Sequence, residues 1–241
     1  MVAIVGTRGA FREGIELAGE LAAGLVRAGL TVVSGGAIGV DAAAHRGALS
    51  AGGSTLAVLG SGLDQLFPAR NRALFHEIAA RGALVTAHAP DTPPRRWQFP
   101  ARNRIVAALS EAVIVVEAPS RSGALNTASH ARRLGLPVLA APRGAGALGL
   151  LRRGAGLVES AADVLRALDG APRRLRPIPG EPDAATALEL VRDAGRGGLV
   201  LDDLARVLGW RPPRAAAALL RLEVAGWVRS RPGGRYVPLP D

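Results

Sequence analysis

The chain has 241 residues, 49% of them hydrophobic, which is enough apolar content for one large domain or a medium domain plus a small one and excludes a disordered chain. Its formal charge of +10 points to a polyanionic partner, with nucleic acid ahead of an acidic membrane surface. Lysine and cysteine are absent and all 30 strongly basic residues are arginine, which excludes P-loop and Schiff-base lysines, disulfides, thiolate metal sites and a cysteine nucleophile.

Residues 2–5 form an apolar run ending at Gly6 that reads as a strand, too short for a signal peptide. No apolar run reaches membrane-spanning length, so a cytoplasmic protein without membrane contact is expected. Across 14–28, Ile15, Ala18, Leu21, Ala22, Leu25 and Val26 recur at helical spacing. A strand at 31–33 leads into the glycine loop 34–39, a helix through Ala51 and a strand at 55–59. Helix and strand pairs follow at 72–80 with 84–86, at 102–109 with 113–116 and at 123–134 with 138–140. Apolar strands alternating with helices predict an α/β architecture over residues 1–168, a doubly wound Rossmann-like parallel sheet with ligands at the carboxyl ends of its strands.

Composition changes at 169–183, where Pro172, Pro177, Pro179 and Pro182 fall among arginines and glycines and mark a linker. Beyond it, 184–194, 201–208 and 213–225 read as helices and 226–238 as a hairpin with Pro232, Gly233 and Gly234 at its tip. Three helices and a basic hairpin predict a small winged-helix domain over 184–241. Arg214 and Arg221 on its third helix and Arg229, Arg231 and Arg235 on the hairpin would then face duplex DNA; a helical dimerisation or partner-docking domain fits the same pattern.

Several loops carry residues suited to chemistry. Gly6-Thr7-Arg8-Gly9 follows the first strand but departs from G-x-G-x-x-G, and Ser34 and Gly35 stand where an acidic ribose ligand would end the second strand, which disfavours a dinucleotide. Thr7 and backbone N–H groups would suit one phosphate, with Arg8 adding charge or a stacking surface; a plain strand-to-helix turn fits equally. In the loop Ser34-Gly35-Gly36, paired glycines let backbone approach a ligand and Ser34 adds a hydroxyl. Asp41 and His45, four apart on the next helix, are placed to pair, the carboxylate orienting a structural histidine. The hexapeptide Phe-Pro-Ala-Arg-Asn-Arg occurs at 67–72 and again at 99–104, each copy expected just ahead of a helix whose N-terminus favours an anion. Residues 95–104 combine four arginines with Trp97 and Phe99, the mixture of cations and rings that a single strand of nucleic acid needs. Ser122 is placed to cap a helix starting at Gly123, and the four histidines share no metal-ligand spacing, so neither a metal nor another cofactor is expected.

Val2-Ala-Ile-Val-Gly-Thr-Arg8, Ser34-Gly-Gly-Ala-Ile-Gly-Val-Asp41 with His45, Phe99-Pro-Ala-Arg-Asn-Arg-Ile105, Val115-Val-Glu-Ala118 and Ser122-Gly-Ala-Leu-Asn-Thr-Ala128, taken in order, resemble the DNA-processing protein family DprA, also called Smf. The likeness runs from Val2 to about Ala155. It implies a non-enzymatic bacterial protein that binds single-stranded DNA, protects incoming DNA during natural transformation (competence), loads RecA recombinase onto it, and forms a homodimer through an extended Rossmann core. Carried over by position, the DNA pocket is Gly6, Thr7 and Arg8, then Ser34, Gly35 and Gly36, then Arg96, Phe99, Arg102, Asn103 and Arg104, with Ser122 and Gly123 one strand later. The family's winged-helix tails agree with the reading of 184–241, where contact with duplex DNA stays open. The first hexapeptide falls where the family has a largely structural turn, so Phe99 rather than Phe67 is assigned to the pocket. Departures are a start directly at the first strand, as in a shortened or a naturally short member, Arg143 in a late proline-glycine loop, and Asn126 in place of an apolar residue.

Two other functions use similar elements. A nucleotide phosphoribohydrolase of the lysine-decarboxylase-like group carries Pro-Gly-Gly-x-Gly-Thr and a catalytic glutamate, whereas this chain has Ser122-Gly-Ala-Leu-Asn-Thr and no glutamate in the helix before Leu134. A nucleotide-sensing transcriptional regulator would make the tail the primary DNA reader.

Overall fold

The structure, a computed structural model, describes residues 1–169, 182–224, 227–231 and 233–238. The first unit, Met1–Ala171, is built on seven strands: β1 (Val2–Val5), β2 (Val32–Ser34), β3 (Thr55–Leu59), β4 (Ala83–Thr86), β5 (Ala112–Val115), β6 (Val138–Ala140) and β7 (Gly156–Leu157). Every pairing is parallel and the order is β4-β3-β2-β1-β5-β6-β7, so the chain winds outward from β1 in one direction and then, from β5, in the other. The doubly wound sheet expected from the alternation of strands and helices is present, and its winding reverses between β1 and β5.

Alternate side chains of each central strand feed opposite layers, which is why these strands read as unbroken apolar runs. Val2 and Ile4 point into a core shared with α1 (Arg12–Arg27), α2 (Val40–Ser50) and α7 (Ala161–Asp169). Ala3 and Val5 point the other way, toward α4 (Gln98–Ala108), α5 (Gly123–Arg133) and α6 (Ala145–Arg152). A smaller cluster packs Phe75 and Ile78 of α3 (Arg72–Arg81) against Leu59 and Leu49. Helices α1 and α2 approach closely because Gly47 has no Cβ where one would run into the Gly19 backbone.

The second unit, Pro172–Asp241, contains α8 (Pro182–Asp193), β8 (Leu199–Val200), α9 (Leu201–Leu208), α10 (Pro212–Val224), β9 (Val228–Arg231) and β10 (Arg235–Pro238). Its antiparallel sheet has the order β8-β10-β9, and Val191, Leu204, Leu219 and Leu222 form its core. This is a winged helix, with β8 as an element the sequence pattern had not marked. The linker expected at 169–183 and Pro232 of the expected hairpin tip lie outside the described residues, apart from the ends of α7 and α8.

The expected Asp41–His45 pair is absent. The His45 Nδ1 lies 2.8 Å from Thr55 Oγ1, and that hydroxyl donates to the Val32 carbonyl, so Nδ1 carries the hydrogen and Nε2 is a buried acceptor without a partner. Burial, with the fields of Arg102 and Arg46, holds the imidazole at about 3 instead of 6.5. The unfolded chain therefore binds a proton first as pH falls, and stability drops between 6.5 and about 3, by at most about 1.4 kcal/mol per pH unit. Burial raises the Asp41 carboxyl, which acts in the opposite sense, costing stability as pH climbs above 3.8. Denaturant titrations from pH 7 to 4.5 are expected to show this acid loss in wild type and a shallower one in His45→Gln; parallel curves for the two proteins would refute the assignment.

Candidate functional site

At the carboxyl edge of the sheet, the loop after β2 is buried rather than open. Ser34 is fully buried and its hydroxyl donates to the Ile4 carbonyl at 2.6 Å, so it is a brace of the sheet and not the exposed ligand group expected from the sequence. Gly35 and Gly36 are also buried, and the rest of the loop, Ala37, Ile38 and Gly39, is half-buried.

Two side chains hold this loop from outside, one from each hexapeptide. Asn71 donates through Nδ2 to the Gly36 carbonyl at 3.0 Å. Arg102 donates through Nη1 to the carbonyls of Gly35 and Val58, at the ends of β2 and β3, and through Nε to Asn103 Oδ1 at 3.2 Å. A Cβ on Gly35 would collide with the guanidinium, so glycine is required there by close approach. The second hexapeptide does not precede a helix: α4 starts at Gln98 and contains it. Arg102, assigned to the DNA pocket by the family resemblance, is consequently turned toward the sheet at 6% exposure and bonded to backbone.

Behind Arg102 lies Asp41, which accepts from the Ala37 N–H at 3.3 Å. Burial pushes this carboxyl up, opposed by the Arg102 charge and by the Ala37 and Gly35 N–H groups. Burial likewise lowers the Arg102 pKa, Asp41 raises it and Arg8 lowers it further, which places two cations in one another's field at the site.

In front of Arg102 is a cavity of about 110 Å³, lined by Arg8, Ile38, Phe67, Pro68 and Phe99 as well as by Gly35 and Ala37. Its volume is well under the roughly 300 Å³ at which drug-sized sites begin, a scale for one ring system rather than a dinucleotide. The Arg8 guanidinium carbon stands 5.5 Å from the centre of the Phe99 ring, a cation–π arrangement. The Phe67 and Phe99 rings lie 5.7 Å apart at 45°. Phe67 is thus part of the same cavity, against the assignment of the first hexapeptide to a structural turn. Its signal was the repeat itself; what the sequence lacked was the fold that brings the copies together.

The Gly6–Gly9 turn presents Arg8 but not a free phosphate cradle. The Thr7 N–H donates to the Glu117 carbonyl at 2.8 Å, and the Thr7 carbonyl accepts from Val40 at 3.3 Å. The Thr7 hydroxyl accepts from the Gly9 N–H at 3.3 Å. At the N-terminus of α1, where a doubly wound fold binds phosphate, the buried Glu117 carboxylate accepts from the Phe11 N–H at 3.2 and 3.4 Å. In the sequence Glu117 is only one residue of the Val115–Ala118 motif; the fold sets its carboxylate at the N-terminus of α1.

The other expected residues separate. Arg96 is exposed on the loop before α4. Asn103 donates to the Gly123 carbonyl at 3.2 Å, and Ser122 caps α5 by accepting from the Ala124 N–H at 3.3 Å, so this pair ties α4 to α5. Arg104 faces away from the cavity and lines a shallow groove of about 430 Å³ between α4 and α5, with Leu109, Arg133 and Leu134. In the second unit, Arg214 is held by both Asp183 carboxylate oxygens at 2.6 and 2.7 Å and lies 4.6 Å above the Trp210 ring. Arg235 donates to the Gly197 and Gly198 carbonyls, while Arg229 and Arg231 are exposed on β9. Among the described residues no cluster of three or more metal ligands occurs, and no helix is long and apolar enough to cross a membrane.

A doubly wound α/β module with a cationic, aromatic cavity at its strand ends, followed by a winged helix, defines the class of this protein. Residues 1–169 match the family model described as DNA recombination-mediator protein A, and residues 171–234 match the DprA winged helix domain. The chain belongs to the DprA (Smf) family. It is 38% identical over 230 residues to the protein Smf of Escherichia coli (strain K12), covering 89% of this chain and 61% of that protein. Against the X-ray structure of DprA from Streptococcus pneumoniae the TM-score is 0.64 at 39% identity, covering 68% of this chain and 60% of the other. Against DNA processing protein A from Helicobacter pylori, whose structure is described for its single-stranded DNA binding mode, the TM-score is 0.64 at 32% identity, covering 69% and 79%. The chain spans about three fifths of the length of its closely matching sequence relatives, 62% for one from Mycobacterium tuberculosis.

The position of Arg102 makes it a stability residue. Arg102→Leu would leave the Gly35 and Val58 carbonyls and Asp41 without their cation, and is expected to cost about 3–5 kcal/mol in chemical denaturation. Arg102→Lys should recover part of that, and Arg104→Leu, on the exposed groove, should stay within about 0.5 kcal/mol of wild type. Equal stabilities for the two leucine variants would contradict the bracing role.

Proposed function

We propose that this chain is a non-enzymatic single-stranded DNA-binding protein and recombination mediator, which holds an unpaired base between Arg8, Phe99 and Phe67. The observation that carries this reading is the Arg8–Phe99–Phe67 cavity above the buried Arg102, at the carboxyl edge of the sheet. Rings accept any base by stacking, while guanidinium groups meet the phosphates, so binding is sequence-tolerant and salt-dependent. Arg70, Arg72, Arg95 and Arg96 are exposed around the two hexapeptides and, among the described residues, none has a carboxylate partner. Gly6, Thr7, Ser34, Gly36, Asn103, Ser122 and Gly123 act as the framework of the pocket rather than as its contacts.

Family membership, and the Helicobacter pylori relative described by its single-stranded DNA binding, support the same assignment. By extension we assign this chain the protection of incoming DNA and the loading of RecA recombinase in natural transformation, as a cytoplasmic homodimer, with residues 1–168 as the DNA-binding domain, 169–183 as linker and 184–241 as an accessory domain. The nucleotide-hydrolase and nucleotide-sensor readings are disfavoured because Glu117 occupies the helix terminus a nucleotide phosphate would need, and the residues that line the cavity include no carboxylate.

Fluorescence anisotropy with single- and double-stranded oligonucleotides over a salt series tests this. Single strand should bind more tightly than duplex; Phe99→Ala should lose about 1–3 kcal/mol, and Arg8→Ala should also reduce the salt slope by about 0.7. Duplex binding as tight as single-strand binding, or a loss confined to a chain ending near Asp169, would overturn it.

A further inference from the structure

Beyond the cavity, the same edge of the sheet carries a large ring that the pocket does not use. Trp97 is 63% exposed at the start of α4, in a chain whose other two tryptophans, Trp210 and Trp227, are partly buried in the core of the winged helix. Its one ring neighbour among the described residues is His88, in a T-shaped contact at 6.1 Å and 82°, and the indole stays largely exposed. An exposed ring of this size without a packing role is an unfavourable way to leave apolar surface unless something covers it.

The backbone that carries the ring is fixed by its surroundings. Gln98, buried to 1% exposure, accepts from the Arg95 N–H through its side chain and donates its own N–H to the Arg95 carbonyl at 3.0 Å, closing a tight turn around Trp97. His88 follows the end of β4, where its N–H donates to the Thr86 hydroxyl at 3.2 Å and that hydroxyl donates to the Ser61 carbonyl at 2.8 Å. The connecting loop is tied to the segment after β3 by Gly62 donating to Thr92 and Asp64 donating to Pro90, both at 2.9 Å.

The charge around the indole is positive. Arg95 and Arg96 are exposed beside it, and the loop 87–97 contains one carboxylate, Asp91.

Placement relates the indole to the pocket. Arg8 follows β1, Gly35 follows β2, and Phe99 lies over Gly60 after β3, where a Cβ would come within 2.9 Å of the ring. His88 and Trp97 continue this series to β4. With strands about 4.8 Å apart, four adjacent strand ends span about 14 Å, a distance for a few nucleotides.

We propose that Trp97, backed by His88, is a second base-stacking platform, so that an unpaired strand with one base in the Arg8–Phe99 cavity continues across the end of β4 with another base on the indole. The inference rests on the single-strand reading of the cavity and adds to it a subsite and a direction. The ligand of this subsite is an unpaired nucleobase, with its phosphate against Arg95 or Arg96.

Tryptophan emission and anisotropy, measured on the full chain with oligothymidylate, test it. Wild-type emission should be quenched on binding, and the quench should disappear in Trp97→Phe while affinity stays within about threefold. Trp97→Ala should weaken binding by about five- to a hundredfold, the effect of losing one base–aromatic stack. If Phe99→Ala weakens binding while Trp97→Ala binds as wild type, the cavity stands and the platform is refuted. If Arg8→Ala and Phe99→Ala both bind as wild type, the cavity reading itself fails. A quench that persists in Trp97→Phe comes from the winged helix and also refutes the platform. Should Trp97→Ala lose its fold, the quench in wild type and its loss in Trp97→Phe decide the matter.

Discussion

The guanidinium of Arg102 organises the carboxyl edge of this sheet. Strand ends leave carbonyls without ladder partners, and buried carbonyls need donors. Arg102 supplies one group that serves two of them, Gly35 after β2 and Val58 near the end of β3, and so fixes the spacing of these loops. The requirement extends outward. Gly35 has room for no side chain, Asp41 sits close enough to balance the buried charge, and α4 must begin by Gln98 so that its opening turns bring the arginine to the loops. Phe99, three residues earlier on that turn, is placed over the strand ends by the same anchoring.

The repeated hexapeptide gains a physical meaning from this arrangement. Its copies hold the same glycine loop from two sides but with different residues, Asn71 from the first and Arg102 from the second. Their phenylalanines meet above the loop. Equal sequences therefore do unequal work because one copy forms a short 3-10 turn before α3, whereas the other is wholly helical. The loop is hydrogen-bonded from both sides, and such bracing suits the proposed stacking of a base, since a preorganised surface loses little freedom on binding.

Most of the fold was legible in the sequence because parallel central strands, buried on both faces, leave unbroken apolar runs that turns and helices punctuate. The two-residue strands β7 and β8 were not, since two residues have no period. The site was legible in part. Arg8 and Phe99 follow from cations and rings near strand ends, but the burial of Arg102 depends on α4 starting at Gln98, four residues earlier than the apolar periodicity indicates. Glu117 and Asp41 show the same limit. A carboxylate in a motif looks like a catalytic or binding group until the fold shows it bonded to the Phe11 N–H or set behind an arginine. The pairing of His45 with Thr55 joins α2 to β3, a contact that i, i+4 spacing within one helix does not reveal.

An all-arginine chain makes net charge a poor guide to where a polyanion binds. The guanidinium groups here have distinct roles: Arg102 braces backbone, Arg214 joins α8 to α10 through Asp183 and stacks on Trp210, and Arg166 and Arg206 pair with acids one helical turn away. Lysine would fill the first two roles badly, because each uses the planar fork. At the rim of the cavity Arg8, Arg70, Arg72, Arg95 and Arg96 are exposed and, among the described residues, without carboxylate partners, a condition they share with Arg104 on α4 and Arg229 on β9. A charge already neutralised by a neighbour releases few counterions when a phosphate arrives, whereas an open one contributes its full share. Open cations occur on several faces, and what sets the strand-end face apart is that there they stand beside exposed rings, Phe67 and Trp97, the combination suited to an unpaired strand.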